Sequence, residues 1–579
     1  MVDVGTDERV LFAITPEASI PEIYGQTSGL RPSQVTAIER LYRRRVPHDK
    51  VLSLELGRTM CQISREIRRP IAVLLSRRGQ VQEIIIGTDL TLSATTLSKF
   101  RVGARSLRGL RVIRTQLHDQ PLSQESLTDL AYLRLDLFGA LSVTPEGNPG
   151  NLYLAHLLPP NGTGQVCNIL KHTPFHHATM TFDRFIEDLE SDMQRAQGTH
   201  AVGHERESAM LVSASSRSRV EQEDRLLELA ELASSAGVTV VDRMAQRTQD
   251  GHQRYVLGSG KLKDVLIQTL HRGADMVIFD QTLTPAQSRA ISEMTDIKVI
   301  DRTQLILDIF ARRAHTREGK VQVELAQLRY LLPRLSGKGQ DLSRLGGGIG
   351  SRGPGETKLE TDRRRIRDRI THLERQLDQF GRHQDQRRAR RTRHGLPVVS
   401  LVGYTNAGKS TLLNVLTHSH VSTVDRVFET LDTTSRRLRF PQDREVIITD
   451  TVGFIRDLPE ELLGAFRTTL EELRQADLLV HVVDAGAADV DIQISAVVKI
   501  LQELNLDMLR RTLVFNKCDR IPPAEADRLC RRYQAIGVSA LHPDTLRPLL
   551  DHLDRELAGV ALPQPTSQVD QAAALASRL

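Results

Sequence analysis

The chain has 579 residues, 40% hydrophobic and 26% charged, which predicts several globular domains and excludes both a single small module and a wholly disordered polymer. Its net charge is only +6, yet Thr357 to His394 holds thirteen Lys or Arg against six Asp or Glu, so a polyanion partner is expected at one segment, and nucleic acid fits it better than lipid. No apolar run approaches the ~18 residues of a bilayer span, and residues 1–15 lack a basic-then-apolar signal pattern, so a cytoplasmic chain without a membrane partner is expected.

Residues 1–205 mix periods: Pro32 to Arg45 and Ser123 to Leu135 are predicted helical, and Ile71 to Leu75, Val81 to Ile86 and Leu152 to Leu157 extended, with a hairpin turn at Arg78 and Gly79. No metal, nucleophile or phosphate motif stands in this α/β extension. From Met210 strands and helices alternate through Val220 to Ser235, Val238 to Val241, Met276 to Phe279, Pro285 to Met294, Lys298 to Ile300 and Gln304 to Arg312, predicting a small open sheet covered by helices over 206–316. Within it Gly258-Ser259-Gly260-Lys261 reads as half a phosphate loop between a strand, Tyr255 to Leu257, and a helix, or as a plain strand-to-helix turn, the simpler of the two. The cysteines, Cys61, Cys167, Cys518 and Cys530, have no Cys-x-x-Cys spacing and argue against a disulfide framework or a zinc site.

Over 317–386 the period changes. Val321, Leu325, Leu328, Leu332 and Leu335 step by four and three, as do Ile366, Ile370, Leu373, Leu377 and Phe380 with Leu359 a heptad earlier, predicting the two seams of an antiparallel helical hairpin. The loop between them, Ser336 to Glu356, is dense in glycine. Without Cβ atoms such a loop can approach nucleic acid closely, while Arg344, Arg352 and Lys358 supply charge. An Arg-rich linker is expected at 387–396, a third α/β unit at 397–559, and a flexible tail at 560–579.

That third unit carries the chemistry. Gly403-Tyr404-Thr405-Asn406-Ala407-Gly408-Lys409-Ser410 follows an apolar strand and opens a helix, which is the context of a phosphate-binding P-loop. Its N–H groups would point at phosphate oxygens, Lys409 would reach the β- and γ-phosphates, and Ser410 would ligate Mg2+. Asp450-Thr451-Val452-Gly453 ends another apolar strand, where an acid holds the metal through water and a glycine N–H senses the γ-phosphate. Asn516-Lys517-Cys518-Asp519 ends a third: the Asp519 carboxylate accepts from guanine N1–H and its exocyclic amine, Asn516 braces the loop, the Lys517 stem covers the base, and Ser539-Ala540 offers a backbone contact. GTP is therefore the expected substrate and GTP hydrolysis the expected reaction. Phe454, directly after Gly453, has no group to orient an attacking water, so slow intrinsic hydrolysis that waits on a partner is expected, with no residue assigned as base.

With Phe428-Glu429-Thr430-Leu431-Asp432 as a first switch and the glycine-rich loop on its hairpin, these motifs over Met210 to Ala558 resemble the HflX family of translational GTPases, the segment before them resembling the extension of its longer members. The resemblance implies a multidomain α/β chain in which a P-loop GTPase domain follows a small α/β domain with a helical hairpin. It also implies Thr430 as a second protein ligand to Mg2+. Two departures are Thr433, where the family commonly has proline, and Glu429, where a small residue is usual. The implied partner is the large ribosomal subunit and its RNA, with no DNA and no membrane, for a monomer that dissociates stalled or vacant ribosomes under stress. A nucleotide-switched RNA-binding protein that silences or protects ribosomes without splitting them is the alternative.

Overall fold

A computed structural model of the chain describes residues 22–88, 100, 107–159, 165–177, 180–201, 207–248, 254–295, 297–335, 358–393, 396–417, 434–440, 444–451, 453–457, 459, 462, 472–487 and 489–558. Two compact units result, one of Met1–Glu205 with Ser259–Asp275, the other of Arg206–Gly258 with Met276–Leu579.

In the first unit the strands β1 (Ile23–Gly25), β2 (Ile71–Ser76), β3 (Val81–Ile86), β4 (Leu110–Gln116), β5 (Leu137–Val143), β6 (Pro149–Leu157) and β7 (Cys167–Ile169) form one mixed sheet in the order β1-β3-β2-β4-β5-β6-β7, and β8 (Thr173–Pro174) pairs with β6. β2 and β5 are buried at every residue, as their unbroken apolar runs require of strands covered on both faces. Gly79 turns the β2–β3 hairpin with φ +74°, and a β-carbon there would meet the Val46 carbonyl oxygen at 1.7 Å, so only glycine fits. Arg111, fully buried, is satisfied by three backbone carbonyls, Val51, Ser76 and Lys50, and stacks on Phe182. The helix Ser259–His271 belongs here too: Lys263 lies over the Tyr132 ring and 3.9 Å from Asp129, and Ile267 packs on this unit's core. The strand expected before that helix is a tight turn instead, with Val256 at φ +67° and a lone bridge between Tyr255 and Leu257.

The second unit begins with β9 (Ser208–Ser215), β10 (Thr239–Arg247), β11 (Met276–Phe279) and β12 (Lys298–Asp301), an all-parallel sheet in the order β10-β9-β11-β12. Its helices start where capping predicts: Ser218, Thr284 and Asp301 side chains accept the N–H of Glu221, Gln287 and Gln304. The hairpin follows. Helix Arg317–Leu331, prolonged by a 3-10 turn Leu332–Leu335, packs on helix Lys358–Arg393 through buried Val321, Leu325, Leu373 and Leu377, and Arg369–Glu324 and Arg329–Glu374 pairs flank the seam. The second helix runs through Arg387, Arg388, Arg390, Arg391 and Arg393, where a linker is expected from composition: arginine is a good helix former, and charge alone does not end a helix. The glycine-rich loop Ser336 to Glu356 lies outside the described residues.

β13 (Val398–Gly403), β14 (Thr434–Arg439), β15 (Glu445–Asp450), β16 (Leu478–Asp484), β17 (Arg511–Asn516) and β18 (Ile536–Gly537) make the last sheet, in the order β14-β15-β13-β16-β17-β18, with only β14 antiparallel. The chain leaves β13 to build one side and returns to build the other, so the crevice at the carboxyl end of β13 is the switch point where such sheets bind ligands. One apolar core runs from the four-stranded domain into this one: Leu226, Leu229, Ile306 and Phe310 share it with Val402, Tyr404, Phe454 and Ile455.

Candidate nucleotide site

β13 delivers Gly403 to the crevice, and the helix Lys409–Leu416 leaves it. A β-carbon on Gly403 would lie 2.1 Å from the Val482 carbonyl oxygen, and one on Gly408, at φ +84°, 2.3 Å from Asn516 Nδ2. Both glycines are thus required by packing before any phosphate is considered. Between them Asn406 also takes a left-handed conformation, φ +62°. The Lys409 ammonium is buried, donates to the carbonyls of Gly403 (3.1 Å) and Tyr404 (2.8 Å), and is pushed down to about 8 by burial, with the Asp450 carboxylate opposing. Replacing those carbonyls by phosphate oxygens would hold it charged. Ser410 Oγ donates to Asp450 Oδ2 at 2.5 Å. One hydroxyl and one carboxylate at the mouth of a phosphate loop are the hard oxygen donors that suit magnesium, which takes its other ligands from water and phosphate.

β15 carries Asp450 beside this loop, and Thr451 Oγ1 anchors the turn by donating to Leu401 O at 2.6 Å. The chain then lies against the P-loop: Thr405 N–H donates to Phe454 O (2.7 Å) and Phe454 N–H to Gly403 O (3.1 Å). A β-carbon on Gly453 would stand 2.9 Å from Thr405 Cγ2 and 3.2 Å from Lys409 Nζ, so Gly453 packs closely on the P-loop beside the Lys409 ammonium. The Phe454 ring points away, buried in the core shared with the four-stranded domain. Val452 lies outside the described residues, as do Phe428, Glu429, Thr430, Leu431 and Asp432 of the first switch.

β17 ends in the base loop. Asn516 Nδ2 donates to Ala407 O (2.9 Å) and its Oδ1 accepts from Ala540 N–H (3.0 Å), so the expected brace reaches both neighbouring loops. Lys517, left-handed at φ +61°, places its ammonium 2.9 Å from Asp484 Oδ2. Asp519 is exposed and accepts from Ser539 Oγ at 2.5 Å, a bond that holds its carboxyl below the ordinary range. The Cys518 thiol, behind the loop, donates to Phe515 O at 3.3 Å and is pushed up to about 11 by burial.

Several participants had no sequence signal. Asp484 ends β16 with nothing to single it out. The Tyr404 phenol leaves the P-loop, donates to Glu228 and accepts from the Arg456 N–H at 2.8 Å. Around them Arg302 pairs with Glu228 (3.0 Å) and Asp280 (2.9 Å), Arg225 with Asp280 (2.6 Å) and Asp457 (2.9 Å), and Arg456 with Asp489. Tyr404 and Glu228 are 176 residues apart, so only the folded chain reveals the pairing.

Three family descriptions match the chain in succession: "GTP-binding GTPase N-terminal" over 223–311, "GTP-binding GTPase Middle Region" over 313–391, and "50S ribosome-binding GTPase" over 398–517. Among curated relatives, GTPase HflX of Caldanaerobacter subterraneus subsp. tengcongensis is 47% identical over 358 residues, 62% of this chain and 82% of the relative. GTPase HflX of Escherichia coli is 42% identical over 369 residues, 62% of this chain and 86% of the relative. A crystal structure of a GTP-binding protein from Sulfolobus solfataricus with GDP aligns at 22% identity and TM-score 0.33, covering 61% of this chain and all of that one (100%).

Proposed function

The chain belongs to the HflX family of GTPases, and from that premise we propose that its GTP-bound form binds the large ribosomal subunit and its RNA and dissociates stalled or vacant ribosomes under stress. The observation that carries this reading is the pairing of a GTPase domain with one long basic helix, Lys358–Arg393, in the same compact unit. Exposed Arg364, Arg365 and Arg367 on that helix offer phosphate contacts along RNA. The domain's family description names 50S ribosome binding, which supports the same partner.

In this reading Gly403 to Ser410 wrap the phosphates, and Lys409 exchanges its two carbonyl partners for phosphate oxygens. Asp519 and the Ser539–Ala540 turn read guanine, with Asn516 holding the loop that carries them. Ser410 would hold Mg2+ directly, Asp450 through water, with Thr430 as the second protein ligand. A magnesium ion held by these residues would supply positive charge to offset that of the phosphates. Gly453 N–H meets the γ-phosphate. The Phe454 ring is committed to the core and offers no group to orient an attacking water, which supports partner-dependent hydrolysis. Hydrolysis frees Gly453 and permits release.

The test is a density-gradient profile of ribosomes with the full chain and each nucleotide. Dissociation into subunits with a non-hydrolysable GTP analogue and not with GDP is expected. Binding to intact ribosomes without dissociation would replace splitting by silencing or protection.

A further inference from the structure

The buried charge cluster behind the nucleotide site contains an unfinished contact. Glu228 Oε1 receives the Tyr404 hydroxyl and lies 3.0 Å from Arg302. Its second oxygen, Oε2, is buried and has no hydrogen-bond partner among the described residues, and the same holds for Arg456 Nε. These two atoms face each other at 3.9 Å. That gap exceeds a hydrogen bond but leaves strong attraction where water is excluded. Glu228 is otherwise held by Tyr404 and Arg302, and Arg456 by Asp489 through its Nη2, so the two unbonded atoms are what remains unsatisfied. Buried polar atoms without a partner are costly, which favours a movement that closes the gap.

Arg456 is placed to make that movement. It follows Gly453, beside the Lys409 ammonium, by three residues. Its N–H is held by Tyr404 Oη at 2.8 Å, its carbonyl lies 3.4 Å from an Arg302 nitrogen, and its neighbour Asp457 pairs with Arg225. The phosphate loop, the strand end after Asp450 and two helices of the four-stranded domain therefore meet at one carboxylate.

We propose that Glu228 and Arg456 are positioning residues for GTP hydrolysis: when the γ-phosphate draws Gly453 toward it, Arg456 Nε–H closes the 3.9 Å gap onto Glu228 Oε2, and the GTP-bound form gains a charge-assisted hydrogen bond. Glu228 then reads the nucleotide state on behalf of the four-stranded domain, and by linkage whatever fixes that domain biases the site toward GTP. The inference rests on GTP binding at the P-loop and is independent of the ribosomal partner.

The test uses the full chain, a fluorescent GDP, a fluorescent non-hydrolysable GTP analogue and steady-state turnover. Glu228→Gln and Arg456→Gln are each expected to keep GDP affinity within about twofold while lowering analogue affinity and kcat by about fivefold or more, and the double variant is expected to be no worse than the poorer single one. Retained kcat and retained analogue preference, equal losses for GDP and analogue, or losses that multiply in the double variant would each overturn the proposal. Should these variants not fold, Tyr404→Phe keeps the ring in the core and deletes the hydroxyl that donates to Glu228 and accepts from the Arg456 N–H. It is expected to fold with a lowered melting temperature and to change the analogue-to-GDP preference by about threefold, and an unchanged preference overturns the proposal. Absence of GDP binding by the parent chain would instead refute the site itself.

Discussion

Asn516 spans 109 residues of sequence to donate to the Ala407 carbonyl at 2.9 Å, and its other end receives the Ala540 N–H at 3.0 Å. One side chain thereby joins the phosphate loop to both base loops. Asn516→Ala would strand two backbone groups, each worth about 1–3 kcal/mol when left unpaired. Guanine nucleotide affinity is expected to fall by roughly tenfold to a hundredfold, measured by titration with fluorescent GDP. A loss below about threefold would mean that the loops hold their places without the brace.

In the proposed site, base identity rests on Asp519. Asp519→Asn is expected to weaken GTP and favour xanthosine nucleotides, because an amide donates to the 2-oxo group that xanthine carries. Competition binding with both nucleotide sets decides it, and GTP affinity unchanged within about threefold would refute this assignment.

Turnover by the isolated chain is expected to be slow and to rise at least about tenfold with large ribosomal subunits. Phe454→Gln is not expected to raise the basal rate, since the side chain is directed into the core. A buried amide there would cost about 1–3 kcal/mol or more and lower the melting temperature. A tenfold faster, equally stable variant would show that the side chain at this position can reach the attacking water.

His481, on β16, is 1% exposed, and burial beside Arg511 and Lys409 pushes its imidazole down to about 3. The unfolded chain therefore takes up this proton near the ordinary value of about 6.5 while the folded chain refuses it until about 3. Stability from this residue is complete above about pH 6.5 and declines as pH falls, by about 2 kcal/mol between pH 6.5 and 5. Urea unfolding at those two values should show the decline, and His481→Leu should remove that share of it. An identical pH slope in the variant would mean that the imidazole is already charged in the folded chain.

Neutralising Arg364, Arg365 and Arg367 is expected to weaken ribosome binding and flatten its salt dependence, because each phosphate contact releases counterions. GTP affinity should not change. Replacing Gly346 to Gly355 by a short linker is expected to keep co-sedimentation with large subunits and abolish dissociation of ribosomes. Equal dissociation by the trimmed chain would reduce that loop to a connector.

The P-loop and the Asn516–Asp519 loop are legible in the sequence because each is a contiguous run of residues at the end of an apolar strand. The packing that demands glycine at Gly403 and Gly408 is not, since the opposing atoms, Val482 O and Asn516 Nδ2, come from β16 and β17. Hairpin seams were equally plain, their period being set by one facing helix. What the sequence hid was partnership at a distance. The amphipathic pattern of Ser259–His271 states that one side is buried and not which core buries it, and it packs with the first unit although its neighbours in sequence belong to the second. Likewise nothing about Glu228, one acid among several on a charged helix, distinguishes it from solvated neighbours until Tyr404 is seen to reach it.

That excursion of Ser259–Asp275 has a practical corollary. The chain passes from one unit to the other three times, so a single protease cut in residues 202–206 leaves two covalent crossings intact. Nicked protein would run as two fragments under denaturing conditions, yet the fragment beginning after the cut would still own a helix that belongs in the other's core. A shortened chain starting at residue 206 would carry Ile267 with nothing from Met1–Glu205 to cover it, which makes the obvious truncation a poor stand-in for the GTPase portion.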